Sequence, residues 1–240
     1  MTCDPFDRMR RLIACAIALA ALAAALPAAA QDADGDCTRF AFDTKAPAGI
    51  SRVAAGTPRA YFVHGRSDAA ACPSDAAACR SRSYLVSGDI VLTGAIRGAF
   101  TCITYQNLKS GFIMSGWTAS ASLAAVAGAP APRPSDWTGT WRHPGGKLTI
   151  KPAKNGTLAI AGAHSYPVAG GVRNTEFDAS AAPGGGILAF ADDGTTPFDR
   201  AAEGSCLMRM RRVETLLVVE DNGQCGDGMV SFTGAYQRGR

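Results

Sequence analysis

Three histidines, His64, His143 and His164, are the only imidazoles in the chain, and imidazole is the commonest positioned base in catalysis. None stands in H-E-x-x-H, and no serine stands in G-x-S-x-G. No base–nucleophile set can be assembled from the order of residues, so the sequence predicts no catalytic residue and no enzyme. The other reactive side chains are eight cysteines. Cys3 and Cys15 fall within residues 1–30, which read as a signal peptide. The remaining six are Cys37, Cys72, Cys79, Cys102, Cys206 and Cys225. An even set in an exported chain reads as three disulfides, which leaves no nucleophilic thiol. There is no C-x2-C pair and no nearby histidine pair, so neither zinc nor any other metal or cofactor is expected.

Two acidic stretches invite a calcium reading. In "VVEDNGQCGDG", residues 218–228, Asp221 is followed at i+2 by Gly223 and at i+4 by Cys225. A calcium loop needs oxygen ligands at those alternate positions, so the pattern fails. The cysteines resolve the stretch instead. Cys206 opens the strand-like "SCLMRMRRV" and Cys225 follows the strand-like "TLLVVED". Two adjacent antiparallel strands place these cysteines together at the open end of a hairpin. A bridge there closes a loop of about 18 residues and stabilises by about 3 kcal/mol. "DADGD", residues 32–36, has alternating oxygens but no distal bidentate glutamate, and reads as a solvated acidic tail. "RMRR", Arg209–Arg212, reads as the ion-paired exposed face of a strand. His164 and Tyr166, in "GAHSYP", are expected on the surface at a strand end.

Something must carry these groups to an oxidising compartment. Arg8, Arg10 and Arg11 precede an alanine-rich apolar run broken by Pro27 and ending in "AAA" before Gln31. That is the layout of a cleaved signal peptide over residues 1–30. The run is short and ends in proline and small residues, so it does not read as a membrane anchor. The sequence therefore predicts a periplasmic or extracellular protein with no membrane span in its mature chain. A net charge of +4 is too mild to imply nucleic acid.

The expected fold class is all-β. "AAVAGAPAPRPSD", residues 124–136, puts three prolines among small residues and reads as extended chain. It divides the six cysteines four and two, both even. The boundaries that follow are an N-terminal segment over 31–57, a first β domain over 58–126, a Pro-rich linker over 127–136 and a second β domain over 137–240. In the first domain "RAYFVHG", "SYLVSGDIVLTGA", "GAFTCITYQ" and "GFIMSGWTASASL" are strand-like, with a tight hairpin at Arg97-Gly98. In the second, "KLTIKPAKNGTLAIAGA" alternates on both sides of Asn155-Gly156, a strong hairpin signal. "WTGTWRHP", "TEFDAS", "GILAFAD", "SCLMRMRRV", "TLLVVED" and "MVSFTGAYQR" follow at regular spacing. These make a small antiparallel barrel or sandwich filled by its own side chains.

Over residues 58–126 the chain resembles the bacterial SH3-like domain family. The resemblance is carried by "RAYFVHGRS", by "CRSRSYLVSGDIVL" with its Gly88-Asp89 turn, by "AFTCITY", and by Gly116-Trp117 before "TASASL". The two-cysteine insertion "AAACPSDAAAC" departs from the family. The resemblance implies an SH3-like barrel that holds extended peptide in an aromatic groove, with Tyr61, His64, Tyr105 and Trp117 as ligand-binding residues. The implied function is a secreted, monomeric, non-enzymatic binding protein for peptidoglycan peptide or an envelope protein. In the second domain, the Gly-x-Trp of the first strand and the aromatic-basic last strand are similar to lipocalin-like barrels. "SFTGAY", residues 231–236, is loosely similar to the inhibitory loop of bacterial lysozyme inhibitors, and the alternative function is inhibition of lysozyme or another wall-cleaving enzyme. Of the three ways to pair the first four cysteines, the favoured one joins Cys72 to Cys79 and Cys37 to Cys102.

Overall fold

The structure is a computed structural model that describes residues 36–38, 40–126, 132–226 and 230–239. The signal segment 1–30, Asp32 to Gly35 of the acidic tail and residues 127–131 of the linker lie outside the described residues. Among the described residues no helix is long and apolar enough to cross a membrane.

The fold is all-β, in two antiparallel sheets: a curled half-barrel and a nearly closed barrel of eight strands. The half-barrel contains β1 (Gly49–Val53), β2 (Ala60–Val63), β3 (Arg80–Leu85), β4 (Ile90–Arg97), β5 (Phe100–Gln106), β6 (Ile113–Ala119) and β7 (Leu123–Ala125). Its order is β3-β2-β6-β5-β4-β1-β7. Alternation sends Phe62, Val91 and Ile103 into one core with Val53, Ala60 and Leu85. The opposite face carries Phe100 and Trp117, and Cys37 packs over them. The β4–β5 turn is tight, as expected, and its two loop residues are Gly98 and Ala99.

The barrel contains β8 (Gly139–His143), β9 (Gly146–Pro152), β10 (Leu158–Val168), β11 (Gly171–Ala181), β12 (Ile187–Ala191), β13 (Leu207–Val213), β14 (Leu216–Asp221) and β15 (Gly234–Arg238). Its order is β11-β10-β9-β8-β15-β14-β13-β12. The Ser180 N–H reaches the Asp193 carbonyl at 2.9 Å across the remaining gap. Leu148, Ile150, Leu158, Ile160, Met208, Met210, Leu217 and Val219 fill the interior with Trp137 and Trp141. Asn155 and Gly156 do turn the β9–β10 hairpin, both at positive φ, 56° and 74°. The loop is five residues long rather than two, since Pro152 pairs with Leu158. The β10–β11 hairpin pairs eleven residues on each strand, well beyond "TEFDAS".

The end of the proline-rich stretch is not extended. Pro134–Trp137 forms one helical turn, α1. Proline suits the first helical position, where no N–H partner is needed, and the Asp136 carboxylate accepts the Arg133 N–H at 2.8 Å. The turn exists because it drives Trp137 into the barrel, where its carbonyl accepts the Trp141 indole N–H at 2.8 Å.

The two sheets meet along a seam. β14 opens with an unbroken apolar run, Leu216 to Val219, because both its faces are covered. Leu217 and Val219 point into the barrel, while Val218 meets Leu92 of β4. Among the described residues three disulfides form: Cys37–Cys102, Cys72–Cys79 and Cys206–Cys225. Several disulfides place the folded chain in an oxidising, extracytoplasmic setting.

Candidate functional site

β2 and β3 form the outer hairpin of the half-barrel, and β3 is an edge. Ala60, Phe62 and Leu85 point to the core, which leaves Tyr61 and Tyr84, directly paired across the strands, on the outer face. Their rings stand edge to face with centroids 5.8 Å apart. The Arg59 guanidinium lies 4.5 Å from the Tyr84 centroid and the Arg80 guanidinium 5.0 Å from that of Tyr61. Arg59 Nη1 also donates to the Tyr61 hydroxyl at 3.4 Å. The result is an interlocked row of two cations and two rings. The register of β3 shifts between these pairs, and exposed Arg82 lies in the shifted stretch.

This row faces water. Tyr84 is 43% exposed, and Arg59 and Arg80 are exposed. Among the described residues, no carboxylate lies within ion-pair distance of Arg59, Arg80 or Arg82. The electrostatic result is legible on Tyr61. Its hydrogen bond from Arg59, with the charges of Arg59 and Arg80, holds the phenol below its usual pKa. The face favours negative charge.

The four residues expected to bind ligand do not converge. Tyr61 is in the row. His64 follows β2 and is exposed, its Nδ1 3.3 Å from Asp68 Oδ2. Trp117 is 3% exposed and packs with Cys37 and Phe100 beneath the Arg97 guanidinium, 5.1 Å from its ring. The Cys37–Cys102 bridge draws residues 36–38 across it. Tyr105 packs against the opposite core, and burial raises its phenol pKa. Asp36, at the end of the acidic stretch, is likewise no solvated residue: it is buried, and its carboxylate accepts the Ser67 N–H at 3.0 Å. A Cβ at Gly65 would come within 2.0 Å of Asp36 Oδ1 and 3.4 Å of Trp117 Nε1, so only glycine lets the chain pass there. The functional candidates missed by sequence reasoning are Arg59, Arg80, Arg82 and Tyr84. Their signal was the paired "RAY" and "RSRSY", readable only once the strands are aligned.

A second polar cluster lies at the seam. β10 sets His164 beside the β8–β9 turn, pairing it with Gly146. His164 is therefore half-buried rather than a surface residue at a strand end, its ring 5.2 Å from that of His143 and 5.9 Å from that of Phe232. Gln106 of β5 reaches across the seam. Its Oε1 accepts the Ala235 N–H at 2.7 Å, so its amide N–H donates to His143 Nδ1 at 3.3 Å. His143 thus carries its proton on Nε2 and has no free lone pair for a metal. Burial, then the neighbouring His164, lower its pKa to about 4. Among the described residues no group of three histidines, cysteines or carboxylates could hold a metal ion.

The remaining motifs are structural. Asp221 accepts from the Phe232 N–H and the hydroxyls of Ser231 and Thr233, which fixes the segment leading into β15. Cys206–Cys225 staples the acidic stretch, and Asn222 Oδ1 accepts the Leu207 N–H at 3.0 Å. "SFTGAY" does not project as a loop: Phe232 and Tyr236 are fully enclosed. Comparison of the chain with known protein families, curated proteins and solved structures finds no match.

Proposed function

We propose that this protein is a non-enzymatic binding protein of the bacterial envelope, periplasmic or extracellular, that recognises cell-wall peptide or an envelope protein through its half-barrel. The observation that carries this reading is the exposed row Arg59, Tyr84, Tyr61 and Arg80. Aromatic rings and arginines are the commonest anchors of binding surfaces. Here mutual stacking holds both before any ligand arrives, which lowers the ordering cost of association. The SH3-like resemblance of residues 58–126 supports an extended-peptide ligand. The binding face is the outer surface of β2 and β3 rather than a groove around Trp117. Phe232 and Tyr236 are enclosed, which favours the half-barrel face over "SFTGAY" as the binding surface.

The test is retention of the oxidised protein on purified peptidoglycan and on immobilised envelope proteins. Tyr84→Ala should weaken retention by about 2 kcal/mol, roughly thirtyfold, with an unchanged melting temperature. Undiminished retention of a folded Tyr84→Ala, Arg80→Ala double variant would overturn the reading.

A further inference from the structure

We infer that the ligand of this face is an acidic polypeptide segment that adds as an extra strand to the outer edge of β3. The inference rests on the binding role proposed above and specifies its partner. Among the described residues β3 pairs with β2 on one side only, so its outer edge offers backbone donors and acceptors for strand addition. The chain's other sheet ends are less open. β7 is a three-residue strand, and the ends of the barrel are bridged by Ser180 and Asp193.

Charge selects the strand that can add. Arg59, Arg80 and Arg82 flank or occupy this edge without a carboxylate partner among the described residues. A second copy of β3 would bring arginines against arginines, and like charges opposed across strands are destabilising. Arginines and a register shift guard the edge against self-pairing. A strand with Asp or Glu at alternate positions converts the same repulsion into attraction, because alternate side chains share one face. β3 is six residues long, which sets the reach of the partner segment.

The experiment is fluorescence anisotropy with the whole oxidised protein and a labelled SEVEVES peptide. Binding is expected, weakening as salt rises. Arg80→Ser with Arg82→Ser should weaken it at least tenfold. Methylation of alternate peptide nitrogens, which removes strand hydrogen bonds and keeps every charge, should abolish it. Arg80→Glu with Arg82→Glu should lose SEVEVES and gain SKVKVKS. Equal binding of the methylated peptide, or full competition by polyphosphate, would overturn strand addition in favour of a plain polyanion site. No binding of SEVEVES, with Tyr84-dependent envelope retention intact, would overturn this inference and leave the binding role standing. Loss of both would overturn both.

Discussion

Arg209 and Arg80 both lie over aromatic rings, 4.9 Å from Phe42 and 4.8 Å from Phe198 in the first case and 5.0 Å from Tyr61 in the second. Their surroundings separate them. Arg209 is buried, donates to the carbonyls of Thr44 and Ala46 at 2.6 and 2.7 Å, and faces Glu220 at 3.9 Å. Glu220 also pairs with Arg211 and accepts the Ala48 N–H at 3.0 Å. Arg212 lies over Trp141 and donates to the carbonyls of Glu214 and Leu216. Every strong interaction of the β13 cluster is internal, and it binds the N-terminal segment to the barrel. Among the described residues the β3 cluster has stacking without a counter-charge. Stacking orients a guanidinium in either setting. The buried carboxylate decides whether it serves the fold or remains available to a partner.

The largest effect should come from breaking the satisfied cluster. Glu220→Gln keeps the shape but leaves Arg209 buried without its ion-pair partner, with Asp43 remaining as a weaker counter-charge. Unpairing a buried ion costs about 3–5 kcal/mol, which at this size lowers the melting temperature by roughly 10 °C. Thermal unfolding of the oxidised protein measures it. A shift under 3 °C would show that the carbonyls of Thr44 and Ala46 alone suffice, and the contrast with β3 would narrow.

The same contrast runs through the histidines, and pH sharpens it. His143 is enclosed by Gln106, His164 and Tyr236, with Gln106 donating to its Nδ1. The unfolded chain takes up this proton near pH 6.5 and the folded chain only near pH 4. As pH falls through that window the unfolded state binds more protons, so stability is lost by up to about 3 kcal/mol. Above pH 7 the contribution is complete. Burial lowers the His164 pKa as well, partly opposed by Asp221, and adds a loss of the same sign. His143→Gln should flatten the fall in melting temperature between pH 7 and pH 4.5. An equally steep fall in His143→Gln would remove the seam as its source.

Why one cluster was readable and the other was not follows from distance along the chain. The all-β fold, the Asn155-Gly156 turn and the Cys206–Cys225 staple depend on alternation and local spacing. The double burial of β14 was signalled by "LLVV", which does not alternate. "RMRR" was legible as ion-paired but not as buried, because the segment that covers Arg209 lies about 165 residues away. Trp117 looked like a groove residue because nothing near it in sequence reports that Cys37, bonded to Cys102, packs over it. The Arg59–Tyr84 stack needs the alignment of β2 with β3, and the register shift between Tyr61 and Val63 defeats simple counting.

The smallest expected effect is the most specific to the exposed cluster. Arg59 is exposed, so Arg59→Ser should leave the melting temperature nearly unchanged, as surface substitutions usually do. It should still alter Tyr61. The phenol sits below its usual pKa chiefly because Arg59 donates to it, with Arg80 adding its charge. Removing the donor takes away the larger cause, and the phenol should titrate at higher pH. Ultraviolet titration of the phenolate in Arg59→Ser, with Tyr61→Phe to assign the transition, measures the shift. An upward move with an unchanged melt would mean that the row is electrostatically coupled yet idle in folding, as a surface awaiting an anionic partner should be. An unmoved titration would mean that Arg59 and Tyr61 are not in contact in solution and that the row is not preformed.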